Sequence, residues 1–231
     1  MADDDPIQVV RRFQSRVSDL IRSYEELLLA VHEKRRQASL ETLLSEQAVM
    51  SMAVFWEAFV NDVFVAHVVR APEWCLANAE NRVRQSINGK FVGLSRWVTI
   101  EVPKSITKSQ AEKILDPKGW NISASSAQEL ANLANLHLPA PDARKFSLDA
   151  EDRAFLDYLV ALRNYLAHRS DSSRGIIVSA INEISTTTGD NAPLSKAQPG
   201  HIGTYLKERV GADTRVGIIA RRMSAVSAKL A

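Results

Sequence analysis

The fold follows from residues 39–70, which read SLETLLSEQAVMSMAVFWEAFVNDVFVAHVVR and contain neither glycine nor proline. Apolar side chains stand on nearly every face of the helix that this stretch predicts, as in a helix at the centre of a bundle. Its weakly charged part, residues 48–69, has the length of a membrane span. Glu57, Asn61 and Asp62 argue against a span, because each is costly in hydrocarbon. We therefore predict a buried core helix.

A second long helix is predicted in front of it. No glycine occurs before Gly89, and Pro6 and Pro72 are the only prolines in that part of the chain. Pro6 suits a first helical turn with Asp5 as its cap, and Pro72 suits a stop. Apolar residues recur at spacings of three and four over residues 6–36, which predicts an amphipathic helix there.

The remainder of the chain divides into an insertion and further helices. Residues 71–147 show weak periodicity, and we interpret them as a mixed insertion that caps the bundle within a single domain, residues 1–231. A third long helix begins at a cap around Ser147 or Asp149 and reaches about Ser170. Shorter helices are predicted at 73–87, 109–115 with a stop at Pro117, 126–136, 174–186, 201–210 and 213–231, with a strand or a loop at 91–102.

Composition excludes several classes of protein. The 231 residues are 45% hydrophobic and carry a net charge of +2, as in a soluble globular protein without a global nucleic-acid footprint. The single cysteine, Cys75, excludes an internal disulfide and a cysteine-built zinc site. The acidic start of the chain is unlike a signal peptide. We therefore predict a cytoplasmic protein.

Common catalytic signatures are absent from the sequence. It has no glycine-rich phosphate loop, no G-x-S-x-G elbow and no H-E-x-x-H pair. The five histidines stand far apart, so the sequence predicts neither a metal site nor a cofactor. They are His32, His67, His137, His168 and His201.

One segment of the third long helix does carry chemistry: residues 161–169 read ALRNYLAHR. On a helical wheel, Asn164 and His168 lie together, opposite the apolar side of the helix, and Arg163 lies between the two sides. His168 is therefore not a core histidine of its own helix. The core-facing stripe consists of Phe155, Leu159, Leu162 and Leu166, and the opposite line of Asp157, Ala161, Asn164 and His168.

Two interpretations fit this face. It is either an ordinary solvated helix face or a site for phosphate chemistry. An imidazole transfers a proton near neutral pH, and a guanidinium binds a phosphate with two hydrogen bonds.

The pattern Arg-Asn-x-x-Ala-His, late in a long helix and after the apolar run Leu-Val-Ala-Leu, resembles the signature of the HEPN superfamily. Residues 52–62, MAVFWEAFVND, are similar to an earlier helix of the RiboL-PSP and MAE branches, where an aromatic-Glu-x-Phe pattern packs beside the motif helix. The resemblance covers residues 39–70 and 150–170.

This resemblance implies an all-α, HEPN-like bundle that dimerises through its motif helices and cleaves RNA without a metal. His168 would act as general base or acid for attack by a ribose 2′-hydroxyl, leaving a 2′,3′-cyclic phosphate. Arg163 would stabilise the charge on the phosphoryl oxygens, and Asn164 would orient the phosphate or the imidazole. The resemblance also implies a toxin-like role in stress or phage defence, with an antitoxin as a possible partner.

Glu57 needs a partner, because it stands among apolar residues of the predicted core helix. One candidate is an arginine of the motif helix, which would place Glu57 directly behind the site. The alternative is a structural ion pair with another arginine. We interpret its neighbours Trp56 and Phe59 as core residues rather than as platforms for base stacking.

The C-terminal part of the chain is locally basic, with six Lys or Arg against two acids in residues 201–231. These cations either follow an RNA backbone or form a solvated helix face. They are Lys207, Arg209, Arg215, Arg221, Arg222 and Lys229. Two rival functions stay open: a non-catalytic HEPN-like module that binds a nucleotide or a partner protein, and a plain helical structural protein.

Overall fold

The structure, a computed structural model, describes residues 5–116, 126–188, 193–196 and 199–231. These residues form ten α-helices, two 3-10 turns and one short antiparallel hairpin. The predicted all-α class is therefore confirmed. The helix stop predicted at Pro117 lies outside the described residues.

The first two helices form the frame of the molecule. α1 spans Pro6–Val31 and α2 spans Gln37–Arg70. The carboxylate of Asp5 caps α1 by accepting a hydrogen bond from the backbone N–H of Ile7 at 3.0 Å, as expected. α1 ends before the predicted residue 36, because Glu33 and Arg36 adopt left-handed backbone angles and turn the chain back toward α2.

α2 is the central helix, in contact with α1, α7 and several C-terminal elements. Trp56 and Phe59 are buried core residues, as predicted, and the Phe59 ring stacks on Phe13 of α1 with centroids 4.4 Å apart. α2 is the one helix of the described chain that is long and apolar enough to cross a membrane. More than half of its most apolar window is buried within the bundle, as in a core helix.

The insertion contains α3 (Pro72–Lys90), α4 (Lys108–Leu115), α5 (Ala127–His137) and α6 (Ala140–Ala143). The described part of residues 71–147 contains helices and 3-10 turns and no strand. Residues 91–102 take the predicted loop alternative, with a 3-10 turn at Leu94–Arg96. Gly93, with φ 82°, starts that turn.

The C-terminal half begins with α7 (Ala150–His168), which packs against α8 (Asp171–Thr188) and against α2. It continues with α9 (Ile202–Lys207) and α10 (Arg215–Lys229). The helix predicted at 201–210 ends early, because residues 209–214 form a two-stranded hairpin whose turn contains Gly211 at φ 67°. One hydrophobic cluster extends from Val9 to Leu230.

Candidate functional site

The last turns of α7 carry the three residues singled out in the sequence. Leu162 and Leu166 are buried and fix this end of the helix against the core. Arg163 and Asn164 are half-buried on its other side, and His168, the last residue of α7, is exposed. The prediction that His168 is not a core histidine is confirmed.

Arg163 is held from two directions. Its Nε lies 3.3 Å from Oε1 of Glu57 on α2, and its Nη1 donates a hydrogen bond to Oδ1 of Asn164 at 3.1 Å. The pairing of Glu57 with a motif-helix arginine is therefore confirmed. Both side chains are partly solvated, with Glu57 50% and Arg163 37% exposed, so the pair adds about 0–1 kcal/mol to stability. Its main effect is to orient the guanidinium.

The side chains of Arg163 and His168 differ in how many partners they have within the chain. Among the residues that the structure describes, Arg163 pairs with Glu57 and Asn164, and His168 forms neither a hydrogen bond nor an ion pair. Asn164 and His168 are four residues apart on one helix, about 6 Å along its axis. Arg163 and Asn164 thus lie five and four residues before the exposed imidazole, within the last two turns of α7.

A second ion pair, which the sequence reasoning missed, fixes the chain just after His168. Arg169 has a left-handed φ of 52° and ends α7, and its Nη2 lies 2.5 Å from Oε2 of Glu46. The hydrogen bond to Glu46 raises the pKa of Arg169. Glu46 stands eleven residues before Glu57, three helical turns, so both carboxylates lie along one line of α2. That spacing is the sequence signal that could have found the pair.

Glu46 is buried, and its Oε1 has no hydrogen-bond partner among the described residues. Gly203 of α9 packs directly against it. A Cβ at Gly203 would lie 2.7 Å from that oxygen and 2.3 Å from Cγ2 of Thr42, so only glycine fits there. The packing of α9 on α2 thus restricts the Glu46 side chain that pairs with Arg169.

The polar face of α7 is less solvated than the wheel indicates. Ala161 is buried and Asn164 is half-buried, because α5 packs on this side of α7. Asp157 accepts a hydrogen bond from the backbone N–H of Ala127, at the start of α5, at 3.0 Å. The face is therefore covered at Ala161, while Asp157, although it contacts the start of α5, and His168 at the end of the helix stay exposed.

Cys75 and His137 form a pair that resembles a nucleophile with its base but is inert. Sγ of Cys75 lies 3.8 Å from Nδ1 of His137, and both residues are buried. Burial raises the pKa of the Cys75 thiol and lowers the pKa of His137. Both groups are therefore neutral near pH 7, and no thiolate is available.

In the described ranges, no three His, Cys, Asp or Glu side chains cluster as metal ligands do.

Most of the C-terminal cations pair with groups of the same chain. They therefore form neither a free surface for an RNA backbone nor a helix face that contacts solvent alone. Arg222 lies 2.7 Å from Oδ1 of Asp152, which is 1% exposed, and Lys229 also bonds to this carboxylate. Arg215 is buried, with its guanidinium 4.4 Å over the ring of Tyr205. The remaining pairs are Lys207 with Glu41, Arg215 with Glu208 and Arg221 with Asp213, while Arg209 donates to the carbonyl of Ala212.

Comparisons with known proteins add no family: no protein-family model matches the chain, and no curated protein or solved structure shows significant similarity to it. The HEPN assignment therefore stays a prediction from the residues quoted above.

Proposed function

We propose that this protein is a metal-independent endoribonuclease that works as a homodimer, with a composite site where two motif helices meet. The observation that carries the proposal is the fixed position of Arg163 between Glu57 and Asn164, on the same open helix end as His168. A scaffold has no physical need for a guanidinium, an amide and an imidazole held together on one surface.

The chemistry is an internal displacement at phosphorus. His168 takes the proton of a ribose 2′-hydroxyl, and the oxygen forms a bond to the adjacent phosphorus. The bond from phosphorus to the 5′-oxygen breaks, and that oxygen takes a proton from His168 of the partner subunit. Arg163 stabilises the charge on the phosphoryl oxygens, and Asn164 orients the phosphate. The products are a 2′,3′-cyclic phosphate and a 5′-hydroxyl.

Exposed apolar residues beside the site support association with a second copy. Leu43 and Val54 of α2 are 51% and 53% exposed, and their spacing of eleven residues aligns them along the helix. Val54 stands just before Glu57, the partner of Arg163. A two-fold axis near this stripe would bury both side chains and bring the two His168 faces together.

The first experiment measures RNA cleavage in excess EDTA. We expect the wild type to cut RNA to cyclic-phosphate ends and His168→Ala to lose about 10²- to 10⁴-fold in rate, with Arg163→Ala similarly impaired. RNA with a 2′-deoxyribose at the cleaved position should resist. The matched control is His32→Ala, because His32 is also an exposed histidine but lies between α1 and α2.

Each variant is first shown to be folded and equally dimeric. A wild type that cuts nothing, or His168→Ala and His32→Ala variants that cut equally well, would overturn the nuclease proposal. Binding of RNA or a nucleotide without cleavage, lost in Arg163→Ala, would identify the non-catalytic HEPN-like module instead.

The dimer is tested separately by placing a charge on the stripe. Val54→Asp should give a monomer in analytical ultracentrifugation and abolish cleavage, because each site needs both copies. Leu29→Asp, at an exposed leucine near the end of α1, should leave both properties unchanged. A Val54→Asp variant that stays dimeric contradicts this interface.

The biological part of the proposal follows the resemblance alone. It comprises a cytoplasmic, toxin-like role in stress or phage defence, held in check by an antitoxin protein. Co-expression screening for a neighbouring protein that suppresses the cleavage tests that part, and growth arrest by the wild type but not by His168→Ala is the expected result.

A further inference from the structure

Residues 77–105, here called the arm, lie at the surface of the bundle, with Asn78 at their start donating a hydrogen bond to the carbonyl of Leu136 in α5. The buried residues of α3 are Pro72, Cys75 and Leu76, all in its first turns. From there to Ile106, none of the described side chains is buried. α3 continues for about 20 Å beyond its last buried residue before the chain turns at Gly93.

The end of the arm exposes large apolar side chains. Val92 is 99% exposed, Trp97 84% and Phe91 59%, and Leu94 beside them is also exposed. Single exposed apolar residues are common, but a contiguous group that includes two aromatic rings marks a binding surface.

The same segment is basic. It carries five Lys or Arg against Glu80 and Glu101, a net charge of +3 in a chain whose total is only +2. Arg84 pairs with Glu80. The other four cations of the arm form no ion pair with any described residue: Arg82, Lys90, Arg96 and Lys104.

Backbone hydrogen bonds fix the turn that carries Phe91 and Trp97. The N–H of Phe91 donates to the carbonyl of Ile87 at 2.8 Å, and the N–H of Trp97 donates to the carbonyl of Leu94 at 2.9 Å. The residues of this turn line one open concavity that contains both rings and a guanidinium. They are Phe91, Val92, Gly93, Leu94, Arg96 and Trp97.

We propose that the arm binds single-stranded RNA, with Phe91 and Trp97 stacking on unpaired bases and Lys90, Arg96 and Lys104 contacting phosphates. Exposed rings interleaved with cations are the elements that recognise single strands, since every base has a face to stack and every nucleotide a charge. The inference rests on the proposed ribonuclease function and names its substrate class, an unpaired RNA segment.

The charge distribution argues against two other occupants. A second copy of the arm, packed symmetrically, would bring two groups of unpaired cations together. A membrane surface favours an apolar face with cations on the opposite side, whereas Arg96 lies in the same concavity as the two rings.

The test measures binding without cleavage. The full-length wild type is titrated into a fluorescein-labelled 2′-O-methyl oligouridylate of about 12 nucleotides, which lacks the attacking hydroxyl, and anisotropy is followed. We expect Phe91→Ala and Trp97→Ala each to weaken binding about tenfold. Trp74→Ala is the matched control, because Trp74 is an exposed tryptophan in the first turn of α3, outside the arm. It should bind as the wild type does.

Unchanged affinity in both arm variants, or an equal loss in Trp74→Ala, overturns the inference. So does loss of binding to phosphatidylcholine and phosphatidylserine vesicles in Trp97→Ala with oligonucleotide binding intact, which would make the arm a membrane contact. Since exposed residues are changed, thermal unfolding should match the wild type for all three variants.

The two proposals fail in different ways. If the arm variants lose oligonucleotide binding but the wild type cleaves nothing, the arm inference stands and the nuclease proposal falls. If His168→Ala abolishes cleavage while the arm variants bind and cleave as the wild type does, only the arm inference falls.

Discussion

The arm and the C-terminal residues 201–231 are both rich in Lys and Arg, but the structure uses these cations in opposite ways. In the C-terminal region, Lys207, Arg215 and Lys229 meet carboxylates of the same chain. In the arm, Lys90 and Arg96 meet none among the described residues. The difference shows that a run of positive charge stays available to a ligand only where the fold supplies no counter-charge.

Asp152 shows how the counter-charge is supplied. It lies in the first turn of α7, nearly fully buried, and both Arg222 and Lys229 of α10 reach it. Breaking the ion pairs of a buried carboxylate with two cations is costly, because removing the cations leaves the negative charge desolvated and unpaired. Among the described residues, the ion pair that the arm forms, Arg84 with Glu80, is partly solvated.

The largest expected effect comes from removing both cations of that cluster. Arg222→Gln combined with Lys229→Gln should lower the free energy of unfolding by about 3 kcal/mol at pH 7, because Asp152 stays buried without a partner. Urea denaturation measures this. Arg96→Gln combined with Lys104→Gln, the matched change in the arm, should stay within about 0.5 kcal/mol of the wild type. Equal losses in the two double variants would remove the distinction between the regions.

High pH should destabilise the C-terminal region through Tyr205. Burial raises the pKa of Tyr205 to about 12, and its hydroxyl donates to the carbonyl of Leu194 at 2.6 Å. Because the folded state keeps the proton, this stabilisation is complete below about pH 10, the pKa of an unfolded tyrosine, and is lost as the pH rises through 12. We expect unfolding free energy to fall by about 2 kcal/mol over that range.

Tyr205→Phe should make that alkaline decline shallower. Denaturant titrations at several pH values give the slopes. Identical slopes in the wild type and Tyr205→Phe would show that other groups cause the decline.

Substitutions at two glycines, one in the C-terminal region and one in the arm, test how tightly each region is packed. Gly203→Ala should cost about 2 kcal/mol, because the new methyl group would overlap Thr42 and Glu46. Gly89→Ala in the arm meets nothing within 4 Å and lies inside α3, so it should raise stability by up to about 1 kcal/mol. Thermal unfolding compares them, and a Gly203→Ala variant as stable as the wild type would contradict the tight contact of α9 with α2.

The smallest expected effect is on the salt dependence of oligonucleotide affinity. If the arm cations contact phosphates, replacing Lys90, Arg96 and Lys104 by Gln should reduce the slope of log affinity against log salt by about 2, near 0.7 for each contact. Replacing Arg221 and Lys229 instead should leave the slope unchanged, because these cations already pair with Asp213 and with Asp149. The same oligonucleotide titration at several salt concentrations decides between the regions.

Regular periodicity made much of the fold predictable. The spacing of apolar residues located α1, α2 and α7, and the same reasoning placed Trp56 in the core and His168 on the surface, as the structure confirms. These are properties of one helix at a time, since the helical repeat alone decides which side chains share a face. The hairpin at 209–214 was not predicted, because Gly211 turns the chain within a segment whose pattern of apolar residues also fits a helix.

The sequence by itself thus determined the helical class, the central helix and the residues offered for catalysis. Only the tertiary structure decided which charges pair. Arg169 meets Glu46 across 123 residues and Lys229 meets Asp149 across 80, whereas the cations of the arm meet no described carboxylate except where a neighbour in α3 supplies one. The physical reason is that local spacing fixes which way a side chain faces, while its partner comes from whichever distant segment the fold brings opposite it.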